Sequence, residues 1–244
     1  MSEKFSITAI LGVDSSALQK GLKYSMSKVS AWAKSFANKI AGAAKAAGVA
    51  AGRAVADFTR DSLIEFGNFE KGMNEVFTLL PGISEEAMGE MEAQTLSLAR
   101  EMGVLPEEIV PALYQALSAG VPPDNVFEFL QTGVKASVGG ITTLETAVDG
   151  LTSATNSYGS ENLSAADAAD IMFTTVKLGK TTMEELSSKI YNVIPIAAAA
   201  GVEFGTVGAA LADLTAKGVP TAQATTQLRA AIQSLTAPTA AQRK

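Results

Sequence analysis

Hydrophobic residues recur every three or four positions along the first part of the chain, starting near residue 22. The spacing alternates between four and three residues, as in the a and d positions of a coiled coil. The pattern fails at Asp57 and Asp61, where the phase shifts or the pairing ends. A single amphipathic helix packed on its own domain would give the same pattern, so both interpretations stay open. The predicted oligomer seam consists of Leu22, Met26, Val29, Ala33, Phe36, Ile40, Ala43 and Ala47, and it continues to Ala50 and Ala54.

The segment before this seam has a different pattern. Residues 5–11 mix β-branched and apolar side chains with partial alternation, which predicts a short N-terminal strand. Asp14 and the two serines after it offer side-chain oxygens for the first turn of a helix. Because the first proline is Pro81, a long helix is predicted over residues 15–80, with one or two breaks at glycines.

After Pro81 the pattern predicts shorter helices with distinct start and stop signals. The fold class is therefore predicted as all-α, with a short strand, one long helix and a compact domain of helix–loop–helix units. The predicted divisions are residues 1–80, residues 81–238, and a polar tail or truncation point at 239–244. Helix starts are predicted at Ser84-Glu85-Glu86, Pro106-Glu107-Glu108, Asp124, Thr142/Thr143, Ser164 and Thr181/Thr182, and helix ends near Gly103, Gly120, Gly179, Gly201 and Gly218.

The sequence also contains an internal echo. Three short motifs recur at one offset of 98 residues: Gly-Val at 103 and 201, Ala-Leu at 112 and 210, and Gly-Val-Pro at 120 and 218. A second echo relates the Glu-Glu-Ile at residue 107 to the Glu-Glu-Leu at residue 184, each followed by a tyrosine. A reused helix–loop–helix unit is the simplest physical cause.

Composition and charge extend this picture. Hydrophobic residues make up 47% of the chain but aromatics only 6%, and the apolar content is largely alanine, which favours helix. Residues 1–60 carry nine Lys/Arg against three Asp/Glu, whereas residues 61–244 carry ten against twenty-two. This asymmetry suggests two parts with different neighbours. The predicted basic face of the long helix consists of Lys20, Lys23, Lys28, Lys34 and Lys39, with Lys45 beyond them.

The residue types exclude most catalytic chemistry. The chain has no Cys and no His, so thiol nucleophiles, Cys/His metal sites and Ser-His arrangements are excluded. A Ser-Lys or paired-carboxylate site remains formally open. The pairs Glu85/Glu86, Glu107/Glu108 and Glu184/Glu185 fall at predicted helix starts, where the helix dipole explains them. We therefore predict no enzyme and no catalytic, cofactor-binding or metal-binding residues.

Two glycine runs, residues 139–140 and 201–208, lack the Gly-Lys-Ser/Thr ending of a P-loop and are predicted as turns. No signal peptide and no long uncharged apolar run is visible; the longest candidate, residues 193–202, is short and followed by Glu203. A basic helix could also bind nucleic acid, but arginines are few and no nucleic-acid motif is recognisable, so no specific nucleic-acid partner is predicted.

Several short motifs stand in a fixed order between roughly residues 65 and 238. They are residues 69–73 (FEKGM), 112–120 (ALYQALSAG), 197–219 (AAAAGVEFGTVGAALADLTAKGV), 226–235 (TQLRAAIQSL) and Pro238. Each is weak alone, but in this order and spacing they resemble the core region of phage tail tape measure proteins. At residues 224–226 this chain has Ala-Thr-Thr where the family usually has Ala-Gly-Thr.

The resemblance implies a structural virion protein, of which this chain resembles the N-terminal portion. Such a protein is a helical scaffold inside the tail tube that sets tail length, nucleates tube assembly and leaves ahead of the DNA. It implies a homo-oligomer, trimeric or hexameric, whose partners are tail tube proteins, tail tip or baseplate proteins and tail assembly chaperones. It implies the virion as location, and the host cytoplasm during assembly, with no cofactor and no membrane contact in this segment. The alternative is a soluble helical oligomeric adaptor or scaffold protein unrelated to virions.

Overall fold

The structure, a computed structural model, describes residues 65–237, and these are helical with no strand among them. The predicted all-α class is confirmed over this range; the predicted strand at residues 5–11 lies outside the described residues. The helices, numbered in chain order, are α1 (residues 65–77 of the described range), α2 (Glu85–Met102), α3 (Pro106–Ser118), α4 (Val126–Gly140), α5 (Leu144–Tyr158), α6 (Ala165–Leu178), α7 (Met183–Ser187), a 3-10 turn (Ile190–Asn192), α8 (Ile194–Ala199), α9 (Phe204–Ala216) and α10 (Thr221–Thr236).

The described residues belong to two compact units, divided within α2 after Leu96. In the first unit, Met73 of α1 is fully buried, and the Thr95 hydroxyl of α2 lies 3.9 Å from its sulfur. That hydroxyl donates to the carbonyl of Met91 at 2.8 Å, which satisfies it in an apolar setting. The predicted divisions at residues 80 and 238 stay predictions, since most of the first segment and the tail lie outside the described residues.

The predicted N-cap residues of the second unit are largely confirmed. The Thr143, Ser164 and Thr182 side chains each accept a hydrogen bond from the backbone N–H three residues on, at 3.1 Å. Each bond satisfies one of the orphan donors of a first helical turn. The prediction that Asp124 caps a helix is wrong, because the N-cap of α4 is Asn125 and no side chain accepts its first amides.

The 98-residue echo is a structural repeat. Gly103 and Gly201 have φ values of 69° and 70°, and Gly120 and Gly218 have 93° and 92°. Helices α3 and α9, which lie between these glycines, are both 13 residues long and begin 98 residues apart. Since left-handed backbone favours glycine, the matched residues impose matched ends on α3 and α9. The next helices, α4 and α10, begin 95 residues apart, so the structure shows one repeated helix with its flanking glycines, and the predicted helix–loop–helix unit stays a prediction.

Helix α5 is the centre of the second unit, where it packs against α3, α4, α6, α7 and α8. Its sequence is rich in threonine, yet Thr152 and Thr155 are buried. Their hydroxyls donate to the carbonyls of Val148 and Leu151 in the preceding turn, at 2.8 and 3.0 Å. Because the hydroxyls are satisfied within the helix, α5 can be surrounded by other helices at little cost in unpaired polar groups.

The prediction that residues 139–140 and 201–208 are turns is partly wrong. Gly201 forms a turn, but Gly140 closes α4 and Gly208 lies inside α9. A Cβ on Gly140 would lie 2.6 Å from Cβ of Met183, and one on Gly208 would lie 2.6 Å from Oγ1 of Thr175. These glycines therefore allow helices to approach closely, which a local sequence pattern does not distinguish from a turn.

The apolar run at residues 193–202 contains the six-residue helix α8 and a turn. Within residues 65–237, no helix is long and apolar enough to cross a membrane.

Candidate docking groove

An open groove of about 750 Å³ lies in the second unit, where the start of α3, the end of α4, the start of α5 and helix α7 meet. Its wall has an apolar part and an acidic part, and no Lys or Arg lines it. The apolar part consists of Val104, Pro111, Val138, Ile141 and Leu144, the acidic part of Glu107, Glu108, Glu145 and Glu184, and Ser137, Thr142 and Thr143 complete the lining.

Ile141 is the most unusual residue of the groove. It ends α4 with φ 51° and ψ 56°, and it is the one non-glycine residue with positive φ in residues 65–237. Its backbone is fixed by the N–H of Thr142, which donates to the carbonyl of Ser137 at 3.0 Å. This is the bond that closes a Schellman motif, in which glycine is usual. A β-branched residue there is strained, and its side chain is 91% exposed.

A second large apolar side chain is exposed beside it. Val138 lies one turn before Ile141 and is 65% exposed. Exposed apolar residues surrounded by polar ones are typical of interaction surfaces. The groove therefore has the chemistry of a docking site for another macromolecule.

The groove carboxylates come from the first turns of three helices. Glu107 and Glu108 belong to α3, Glu145 to α5 and Glu184 to α7. The prediction that the glutamate pairs lie at helix starts is confirmed. All four side chains are exposed, so the groove carries negative charge that water can reach.

The site residues predicted from sequence are not among those of the groove. The oligomer seam from Leu22 to Ala47 and the basic face from Lys20 to Lys39 lie outside the described residues, and both stay predictions. Within residues 65–237, no three of His, Cys, Asp or Glu are arranged to hold a metal ion. Sequence reasoning missed Val138 and Ile141; an isolated isoleucine between Gly-Gly and a Thr-Thr cap was the available signal.

Two side chains of the last turn of α5 bind loops beside the repeated helices α3 and α9. The Tyr158 hydroxyl donates to the carbonyl of Val202 at 2.8 Å, and its ring packs against Phe204 with centroids 5.6 Å apart. The Asn156 side-chain amide donates to the carbonyl of Ala119 at 2.7 Å. Burial raises the pKa of Tyr158 to about 12. These bonds hold the loops that follow α8 and α3 against the end of α5, the helix whose first turn lines the groove.

Comparisons with known proteins give one family and one relative. The family described as phage-related minor tail protein matches residues 92–244. A protein of Clostridium phage phiCD119, named "Probable tape measure protein", is 32% identical over 203 residues. That alignment covers 82% of this chain and 21% of the relative, so the chain spans about a fifth of the length of the relative it matches. No solved structure matches the chain.

Proposed function

The chain belongs to the phage-related minor tail protein family and is therefore a component of the virion, and we propose that it acts as a tape measure within the tail. The observation that carries this proposal is the 32% identity, over 82% of the chain, to a protein named as a probable tape measure protein. The order of motifs within residues 65–238 agrees with it. Neither the family nor the relative is named as an enzyme, and we propose a structural role without catalysis.

The proposed mechanism converts chain length into physical length. A helix advances about 1.5 Å per residue, so a continuous helix from residue 15 to the end of α1 at residue 77 would be on the order of 100 Å long. Several copies, trimeric or hexameric, joined along the predicted seam would form a stiff rod. Tube rings would polymerise around the rod until it ends, and the rod would leave ahead of the DNA at infection.

The partners follow from this role. The tail tube and the tail tip or baseplate would contact the scaffold in the finished tail, and assembly chaperones would hold it in the host cytoplasm beforehand. The lysine face, Lys20 to Lys39, would be held by an acidic tube lumen through exposed and salt-screened charges. Neutralising those lysines should then weaken tube assembly and reduce its dependence on salt. A soluble adaptor unrelated to virions is the less favoured function, because the matching family is one of tail proteins.

The test is an in-frame deletion of whole heptads from residues 20–54 in the complete gene, followed by measurement of tail length by electron microscopy. We expect tails shorter by about 1.5 Å per deleted residue. A matched control replaces the same heptads with an equal number of helix-forming residues of similar charge, and its tails should keep the parental length. Tails of parental length after deletion, or a shortening unrelated to the number of residues, would contradict the ruler mechanism.

A further inference from the structure

The groove carries negative charge that no basic residue of its lining balances. Its four glutamates, from three helix starts, face no Lys or Arg in the lining. The surrounding unit is acidic as well: residues 97–237 contain fourteen Asp/Glu and seven Lys/Arg. A positively charged partner would therefore be drawn to this surface, and more strongly at low salt.

The groove also has an apolar part that a simple cation would leave exposed. Val138 and Ile141 stand out into water, 65% and 91% exposed. Covering them needs a partner with apolar side chains beside its positive charges. An amphipathic helix with anchors three, four and seven residues apart provides both in one element.

The same chain contains a segment with this chemistry. Residues 20–45 include six lysines and no Asp or Glu. The predicted seam, from Leu22 to Ala43, gives the segment an apolar stripe. On a helical wheel of 100° per residue the stripe is flanked on one side by Lys23 and Lys34 and on the other by Lys28 and Lys39. The stripe could cover apolar residues while lysines on both sides reach carboxylates.

We propose that the groove of one copy binds residues 20–45 of a second copy of this chain. The contact joins two different surfaces, so it is heterologous and leaves one groove and one basic segment free on every pair. Repeating it adds further copies. The choice of a second copy over the same chain rests on the proposed function, in which several copies lie together; the groove and its charge do not depend on that role. A segment bound in the groove is not paired along the seam at the same time, so this contact belongs to copies that have not yet joined the rod.

Disulfide trapping tests the proposal on the full chain, which has no cysteine of its own. One preparation carries Val138→Cys in the groove, and a second, with a different mass tag, carries one cysteine in the seam at Met26, Ala33 or Ile40, so that no register is assumed. The mixture is oxidised and the mixed disulfide is measured. The control replaces Val138→Cys with Ser160→Cys, at an exposed residue that does not line the groove.

We expect at least one seam position to form the mixed disulfide about tenfold faster with Val138→Cys than with Ser160→Cys, and the excess to fall as salt is added. Equal rates for both cysteines at every seam position would overturn the proposal. A chain carrying both Val138→Cys and the seam cysteine tests whether the segment binds the groove of its own chain instead. If it closes an intramolecular disulfide at high dilution and the mixed preparations stay uncoupled, the segment binds its own chain and the second-copy proposal is wrong.

Sedimentation of the full chain gives an independent measurement. Changing Glu107, Glu108, Glu145 and Glu184 together to Gln should weaken self-association about tenfold at low salt. The matched control changes four exposed carboxylates outside the groove, at Asp124, Glu128, Asp170 and Glu203, to their amides. Circular dichroism confirms that both variants are folded. Equal weakening in both would show that net charge alone is responsible and would overturn the assignment to the groove. Because neither experiment measures tails, failure here is distinct from failure of the length-control role.

Discussion

Replacing Ile141 by glycine should stabilise the folded protein although it removes a large apolar side chain. The left-handed conformation at φ 51° costs a residue with a Cβ about 1–2 kcal/mol. Glycine relieves this cost but adds freedom to the unfolded chain, which offsets about 0.5–1 kcal/mol. The lost side chain contributes little burial, because it is 91% exposed. The expected net gain in the free energy of unfolding is about 0.5–1 kcal/mol.

Urea unfolding followed by far-UV circular dichroism measures this change. Circular dichroism is used rather than tryptophan fluorescence, since the single tryptophan, Trp32, lies outside the described residues. Ile141→Ala is the matched control: it shortens the side chain but keeps the Cβ that the conformation penalises. We expect it to give less than half of the gain from glycine. If alanine stabilises as much as glycine, or if glycine destabilises, the strain argument is refuted.

The same substitution separates folding from docking. If Ile141 is kept in a strained conformation because it contacts a partner, Ile141→Gly should unfold at higher urea and also lose part of the self-association attributed to the groove. A more stable protein with unchanged association would show that the exposed isoleucine has no part in binding.

Three further substitutions test the second unit. Gly150→Ala should lower the free energy of unfolding by about 1–3 kcal/mol, because the new Cβ would lie 2.6 Å from Oγ of Ser187. Gly205→Ala, whose Cβ would have nothing within 4 Å, should stabilise α9 by about 0.5–1 kcal/mol. Equal effects of the two substitutions in urea unfolding would contradict the close-packing argument. Tyr158→Phe should cost about 1 kcal/mol at neutral pH through the lost hydrogen bond to Val202. The pKa of Tyr158 is about 12 in the folded protein and about 10 in the unfolded chain, so the parent protein should lose stability relative to Tyr158→Phe between pH 10 and 12. The expected loss is about 1 kcal/mol after allowance for the partial exposure of the side chain. Parallel curves of stability against pH for the two proteins would refute this.

The sequence by itself determined several of the helix ends among the described residues. The hydroxyl N-caps at Thr143, Ser164 and Thr182 and the left-handed glycine at 218 depend on chemistry within four residues of each position, so a local pattern predicts them. The 98-residue repeat was visible for the same reason, since equal local signals give equal helix ends. The tail-protein family was also recognisable from the order of short motifs.

The tertiary structure alone decided which helices are surrounded and which residues meet. Threonine-rich α5 is packed against five other helices, and the helical positions 140 and 208 need glycine because a neighbouring side chain occupies the space that a Cβ would fill. The groove glutamates are separated by as many as 77 residues, from Glu107 to Glu184, and only the packing of α3, α5 and α7 gathers them around Ile141. Such long-range contacts depend on the whole packed unit, because no local preference specifies the distance between two helices.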